Sequence, residues 1–167
     1  CESPEGHVSP LLVREPQQVD LLVWNERCVH NLTTYLVRDP AKAIMRSGKK
    51  VGLVVKGCDA RSLIELVREN QLQRESIFAL GVVCGGVRDL RTGEICKKCI
   101  QCQWQYPPLV DLVIGDEEKV EPIEGDPLEE INAILRMPVS QRWEYWKRQF
   151  EKCIKCYACR QVCPMCY

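Results

Sequence analysis

Histidine is nearly missing from this sequence of 167 residues: there are two, His7 and His30. Lone histidines are usually surface or structural residues, and neither is assigned a role. Net charge is missing altogether, with 23 Lys and Arg against 23 Asp and Glu. No global basic field is therefore available to hold nucleic acid. No apolar run approaches the roughly 20 residues of a membrane-spanning helix, and no N-terminal signal peptide is visible. Internal repeats and low-complexity tracts are absent. So are paired carboxylates and any Ser/His or Cys/His arrangement, which removes the usual proton-transfer and nucleophilic chemistries.

Cysteine is what the chain has in quantity, with twelve. Secreted disulfide scaffolds approach that density, but they are short and poor in core residues. This chain instead carries aliphatic runs such as VGLVV and IFALGVV, and its cysteines cluster as C-x2-C. Metal ligation in a reducing compartment, the cytoplasm, is the better reading. Cys1 stands where a methionine would begin a chain, and reads as the start of a segment or of a processed protein.

The stretch CIKCYACRQVCP, residues 153–164, has the C-x2-C-x2-C-x3-C-P spacing of bacterial ferredoxins. A tight loop with cysteines at every third position wraps several corners of a [4Fe–4S] cube, and its N–H groups offset the negative charge of the cluster. Pro164 then turns the chain away. Tetrahedral zinc usually takes a second C-x2-C or histidines some distance off, so a zinc-stabilised interaction module is the weaker alternative. In two-cluster ferredoxins the first three cysteines of a run bind one cluster and the fourth binds the other. Cys153, Cys156 and Cys159 thus want a fourth thiolate, and Cys163 wants three. A longer native chain with a second run would supply them; local closure by Cys163, or by Cys166, is the competing expectation.

Upstream, KVGLVVK (50–56) reads as a buried strand, GCDARSLIELVRENQL as a turn and helix with Asp59 as N-cap, and SIFALGVV (76–83) as a second strand. This is a βαβ unit with parallel strands. LVDLVIG (109–115) is a third strand candidate. Apolar spacing predicts a helix over 17–37, broken near Asn31, and a short one over 40–47. Further helices are expected near 127–136 and over 140–152. Trp143, Trp146 and Phe150 on the latter form a packing stripe that seats the ferredoxin-like loop. The fold class is α/β: a small parallel-sheet domain over residues 1–120, an acidic and helical linker over 121–151, and a ferredoxin-type module beginning at 152–167.

Cys58 and Cys84 follow the two strands, on the carboxyl edge where open α/β sheets bind ligands. A helix start at Cys58 favours its thiolate, and Gly57, Gly85 and Gly86 allow close backbone approach. With CKKCIQC (96–102) they offer five thiols for four places; spacing leaves the pairs Cys96/Cys99 and Cys99/Cys102 both open. Cys28 reads as a packed cysteine. Arg61, Lys97 and Lys98 lie close enough in sequence to bias a cluster's potential or dock a partner.

The order KKVGLVVKGCDARSL, GVVCGG, C-x2-C, PPLVDLVIG resembles the coenzyme F420 hydrogenase/dehydrogenase β-subunit family. LVWNERCVHNLTTYLV and RWEYWKRQFEKCIKCYACRQVCPMCY are similar to one branch of it. That branch carries a C-terminal ferredoxin module and is found with heterodisulfide-reductase-type, hydrogenase and formate dehydrogenase complexes. The resemblance implies a [4Fe–4S] cluster on Cys58, Cys84, Cys99 and Cys102, the pair before the PP stretch, with Cys96 as an extra. It implies at least two [4Fe–4S] clusters in all, and as partners the other subunits of a redox complex, with ferredoxin as a further candidate. F420-reducing members also bind FAD beside the cluster, but no residues of this chain map onto their flavin or deazaflavin pocket. The functional expectation is an electron-transfer subunit; the alternative is a flavin-containing catalytic subunit delivering electrons to F420, ferredoxin or a similar acceptor.

Overall fold

The computed structural model describes residues 1–3, 6–116, 126 and 128–167. Strands β1 (Val51–Val55), β2 (Ile77–Val82) and β3 (Leu112–Ile114) form one parallel sheet in the order β1-β2-β3. Helix α2 (Gly57–Arg68) links β1 to β2, and α1 (Ala41–Arg46) precedes them. The expected α/β class is what is found.

Alternation along β1 explains the layering. Val51, Leu53 and Val55 are buried, and Ile77 and Ala79 of β2 join them in one core with Ala60, Leu63 and Leu66 of α2. Each buried leucine there contributes about 1.5–3 kcal/mol. Phe78, Leu112 and Ile114, of the opposite strand parity, are exposed. The third strand is shorter than 109–115. It is clamped at its entrance by Asp111, whose carboxylate accepts from Ala79 N–H (2.7 Å) and pairs with Arg74 (2.8 Å). The Ala79 bond, then Arg74, holds this carboxyl below its usual range. A depressed folded-state value stabilises the fold above the unfolded pKa and is lost as pH falls through the folded one. Asp111→Asn is therefore expected to be less stable than the parent at neutral pH, the gap closing in acid; urea denaturation at both pH values measures it.

Residues 17–37 do not form the long helix expected. The chain makes 3-10 turns at Pro16–Leu21 and Leu32–Tyr35 with irregular backbone between. Val19, Leu21, Leu22 and Val23 are exposed, so the apparent stripe has no surface to pack on, whereas Leu36 enters the core. Helix α2 begins at Gly57, not after Asp59. Asp59 still caps it, from inside the first turn, by accepting from Lys56 N–H (3.1 Å).

Helices α3 (Lys97–Ile100), α4 (Glu129–Arg136), α5 (Val139–Glu151) and α6 (Ala158–Val162) follow. The aromatic stripe on α5 does not seat the C-terminal loop: Trp143 and Phe150 are 70% and 73% exposed. Backbone and core contacts seat it instead. Arg38 donates to Gln161 C=O (3.1 Å), Met165 packs against the core, and Tyr167 OH donates to the Glu69 carboxylate. Residues 117–125 and 127, which include the start of the acidic linker, lie outside the described residues.

Candidate metal centre

Register determines where the first thiols meet. Val55 pairs with Gly81 across β1 and β2. Cys58 and Cys84 each stand three residues beyond that pair, at the carboxyl edge of the sheet. After Cys84 the chain runs out and back: Arg88 and Ile95 bridge antiparallel, and Cys96 N–H donates to Val87 C=O (2.9 Å). Asp89 closes the turn between them through Arg91 and Thr92 N–H. The return delivers α3 and the following loop to the same edge.

There the backbone is pressed close. A Cβ on Gly57 would stand 1.7 Å from the Trp104 carbonyl oxygen, and one on Gly86, at φ +108°, would meet Cys99 Cβ at 3.3 Å. Gly85 faces open space, so the expectation of close approach holds for Gly57 and Gly86 but not for Gly85. Cys84 N–H donates to Gln105 C=O (3.0 Å), tying the loop's far end to the strand end.

The result is a cavity of about 100 Å³ whose wall includes Cys58, Cys84, Cys99 and Cys102. Cys96 is not among the wall residues; it caps α3. Cys28 lies elsewhere, in a turn with Asn25 N–H donating to its sulfur (3.5 Å). The cavity is well below the ~300–1,000 Å³ of ordinary organic-ligand pockets, which suits a compact inorganic group. Among the described residues, no three His, Cys, Asp or Glu side chains form a group that could hold a metal ion. One zinc draws its sulfurs to about 2.3 Å from a single point. A cube binds each thiolate at its own iron, so its ligands surround a space. The four-thiol wall fits the second requirement.

Two of the thiols, Cys58 and Cys84, are shifted away from ionisation. Cys58 keeps an exposed face, yet desolvation, with Asp59 beside it, pushes its pKa up to about 11 against the pull of Lys56. Burial also raises Cys84, against a Gly86 hydrogen bond and Lys56. The helix start does not win at Cys58, because desolvation and an adjacent carboxylate outweigh a dipole effect that is small at a helix end. Loading a metal must therefore displace protons. Val87 N–H already donates to Cys99 Sγ (3.5 Å).

Of the cations, Lys98 reaches the cavity wall, and Arg61 stacks over Trp104 at 4.8 Å. The residue the sequence reading missed is Lys56. It lines the cavity and is 4% exposed. Its signal was a lysine at the end of the run VGLVV, directly before GC.

In the second set, Cys166 hydrogen-bonds with Cys163. Cys153, Cys156, Cys159 and Cys166 are exposed and Cys163 half-buried. Lys155 and Tyr157 take left-handed backbone (φ 56° and 59°) around Cys156. A groove of about 560 Å³ lies beside the first cavity, with Cys58 and Trp104 on one side and Met165 of the C-terminal segment on the other.

No family model matches the chain. It is similar to the F420-dependent formate dehydrogenase subunit beta of Methanocaldococcus jannaschii. Identity is 21% over 208 aligned positions, covering 71% of this chain and 55% of that protein. It is likewise similar to the F420-dependent formate dehydrogenase 1 subunit beta of Methanococcus maripaludis, 23% over 211 positions, covering 71% and 54%. The chain spans about half the length of these curated relatives. The likeness does not single out a branch with a ferredoxin module. No helix among the described residues is long and apolar enough to cross a membrane.

Proposed function

We propose that this chain is an iron–sulfur electron-transfer subunit of a larger cytoplasmic redox complex of the formate dehydrogenase, hydrogenase or heterodisulfide reductase type. The observation that carries the reading is the small cavity walled by Cys58, Cys84, Cys99 and Cys102, in a chain similar to beta subunits of F420-dependent formate dehydrogenases. A [4Fe–4S] cluster supplies reversible one-electron storage. The chain's own residues supply the rest. Four thiols hold the group, Val87 N–H donates to one of them, and the Trp104 loop closes over the first turn of α2. Cys153, Cys156, Cys159 and Cys163, with Cys166 in reserve, are proposed for a second cluster of ferredoxin type. In this reading residues 1–120 form the first iron–sulfur unit, joined through 121–151 to the ferredoxin-type segment at 152–167.

A second reading, a flavin-containing catalytic subunit, has one observation in its favour: the larger groove beside Cys58 lies within the size range of organic-ligand sites. Absorption and metal analysis of anaerobically purified protein test both. Broad visible absorption bleached by dithionite, with iron and sulfide, is expected. Extractable FAD with resolved flavin bands would establish the second reading, and a colourless, zinc-loaded protein would overturn both.

A further inference from the structure

One charged pair stands at the thiol cavity, with Lys56 on its wall and Asp59 behind it, beside Cys58. Lys56 Nζ lies 2.8 Å from Asp59 Oδ2 and donates to the His30 carbonyl at 2.7 Å. The Trp24 ring stands 5.8 Å from the ammonium. The two side chains are 5% and 1% exposed. A buried ion pair is weak evidence for stability, since apolar residues of similar volume often do as well. Its placement is therefore the informative feature. Lys56 is on the wall, and Asp59 Oδ1 lies 3.8 Å from Cys58 Sγ. Other cations near the site, Lys98 and Arg61, stand on more exposed surface and are screened by water and salt.

We propose that Lys56 and Asp59 are redox-tuning residues, two fixed and opposite charges that set the reduction potential of the cluster held by Cys58, Cys84, Cys99 and Cys102. This rests on the cluster reading above. Adding an electron to a cluster adds negative charge. A desolvated ammonium nearby favours the reduced state, and a carboxylate disfavours it. Their effects on the potential are opposite in sign, and removing both charges brings the midpoint back towards the parent.

The test is an EPR-monitored redox titration of the full chain loaded with its clusters. Asp59→Asn keeps an oxygen to cap Lys56 N–H and leaves the lysine in place. It is expected to raise one midpoint, about tenfold in the one-electron equilibrium constant, equivalent to about 59 mV. Lys56→Met is expected to lower the same midpoint. Because it strands a buried carboxylate, at a cost to folding, the neutral double variant Lys56→Met/Asp59→Asn is carried alongside and should return towards the parent. The other cluster should not move. Asp59→Asn holding iron at the parental midpoint would overturn the tuning role and leave the cluster reading standing. A parent chain that takes up no iron would overturn the cluster reading itself.

Discussion

Cys99→Ser will cost the chain one cluster: about four irons fewer by metal analysis, and one EPR signal of the reduced protein gone. Cys96→Ser will leave both signals in place. The two cysteines stand three apart in CKKC, yet their surroundings differ. Cys99 is on the cavity wall, faces Gly86, and receives the Val87 N–H. Cys96 caps α3, with its own N–H donated to the Val87 carbonyl. Serine at 96 can keep that backbone bond and is itself a favoured residue at a helix N-cap. Serine at 99 removes a soft ligand that a hydroxyl replaces poorly. The reverse outcome would move the loop ligands to Cys96 and Cys99 and require the segment around Ile95 to shift.

Gly57→Ala will have an effect nearly as large, without touching a thiol. Its methyl would stand 1.7 Å from the Trp104 carbonyl oxygen, a contact between two backbones that no rotamer relieves. The loop must lift from α2, and Cys102 lifts with it. The expected result is loss of the same four irons and a destabilisation of about 1–3 kcal/mol, the usual cost of overpacking. Gly85→Ala is the control. It lies next to Cys84, but a methyl there meets nothing within 4 Å. Iron content and urea midpoints of the two variants should separate cleanly; equal iron in both would show that the Trp104 loop does not close the site.

The strands and α2 were legible because their signals are local. VGLVV alternates in burial about a single core, and Leu63 and Leu66 repeat at helical spacing, so pattern and packing agree. Residues 17–37 failed for the opposite reason. Their apolar spacing suits a helix, but Val19, Leu22 and Val23 stay exposed, and without a buried face a helical pattern gains little. Helix α5 is helical as read, yet the aromatic side chains that looked like packing are exposed.

The amino-acid sequence by itself determined the residue types of the site and their approximate address: two cysteines after parallel strands, a C-x2-C-x2-C loop, and a ferredoxin-spaced run. Chain spacing carries that much because parallel pairing brings equivalent strand ends to one edge. Only the tertiary structure decided that Gly57 rather than Gly85 stands against the Trp104 loop, and that Lys56 is turned inward on Asp59. Those outcomes depend on how two loops from separate parts of the chain approach each other. Desolvation of Cys58 and the Lys56–Asp59 field arise from that approach. They are properties of the enclosed space, and no stretch of sequence carries them alone.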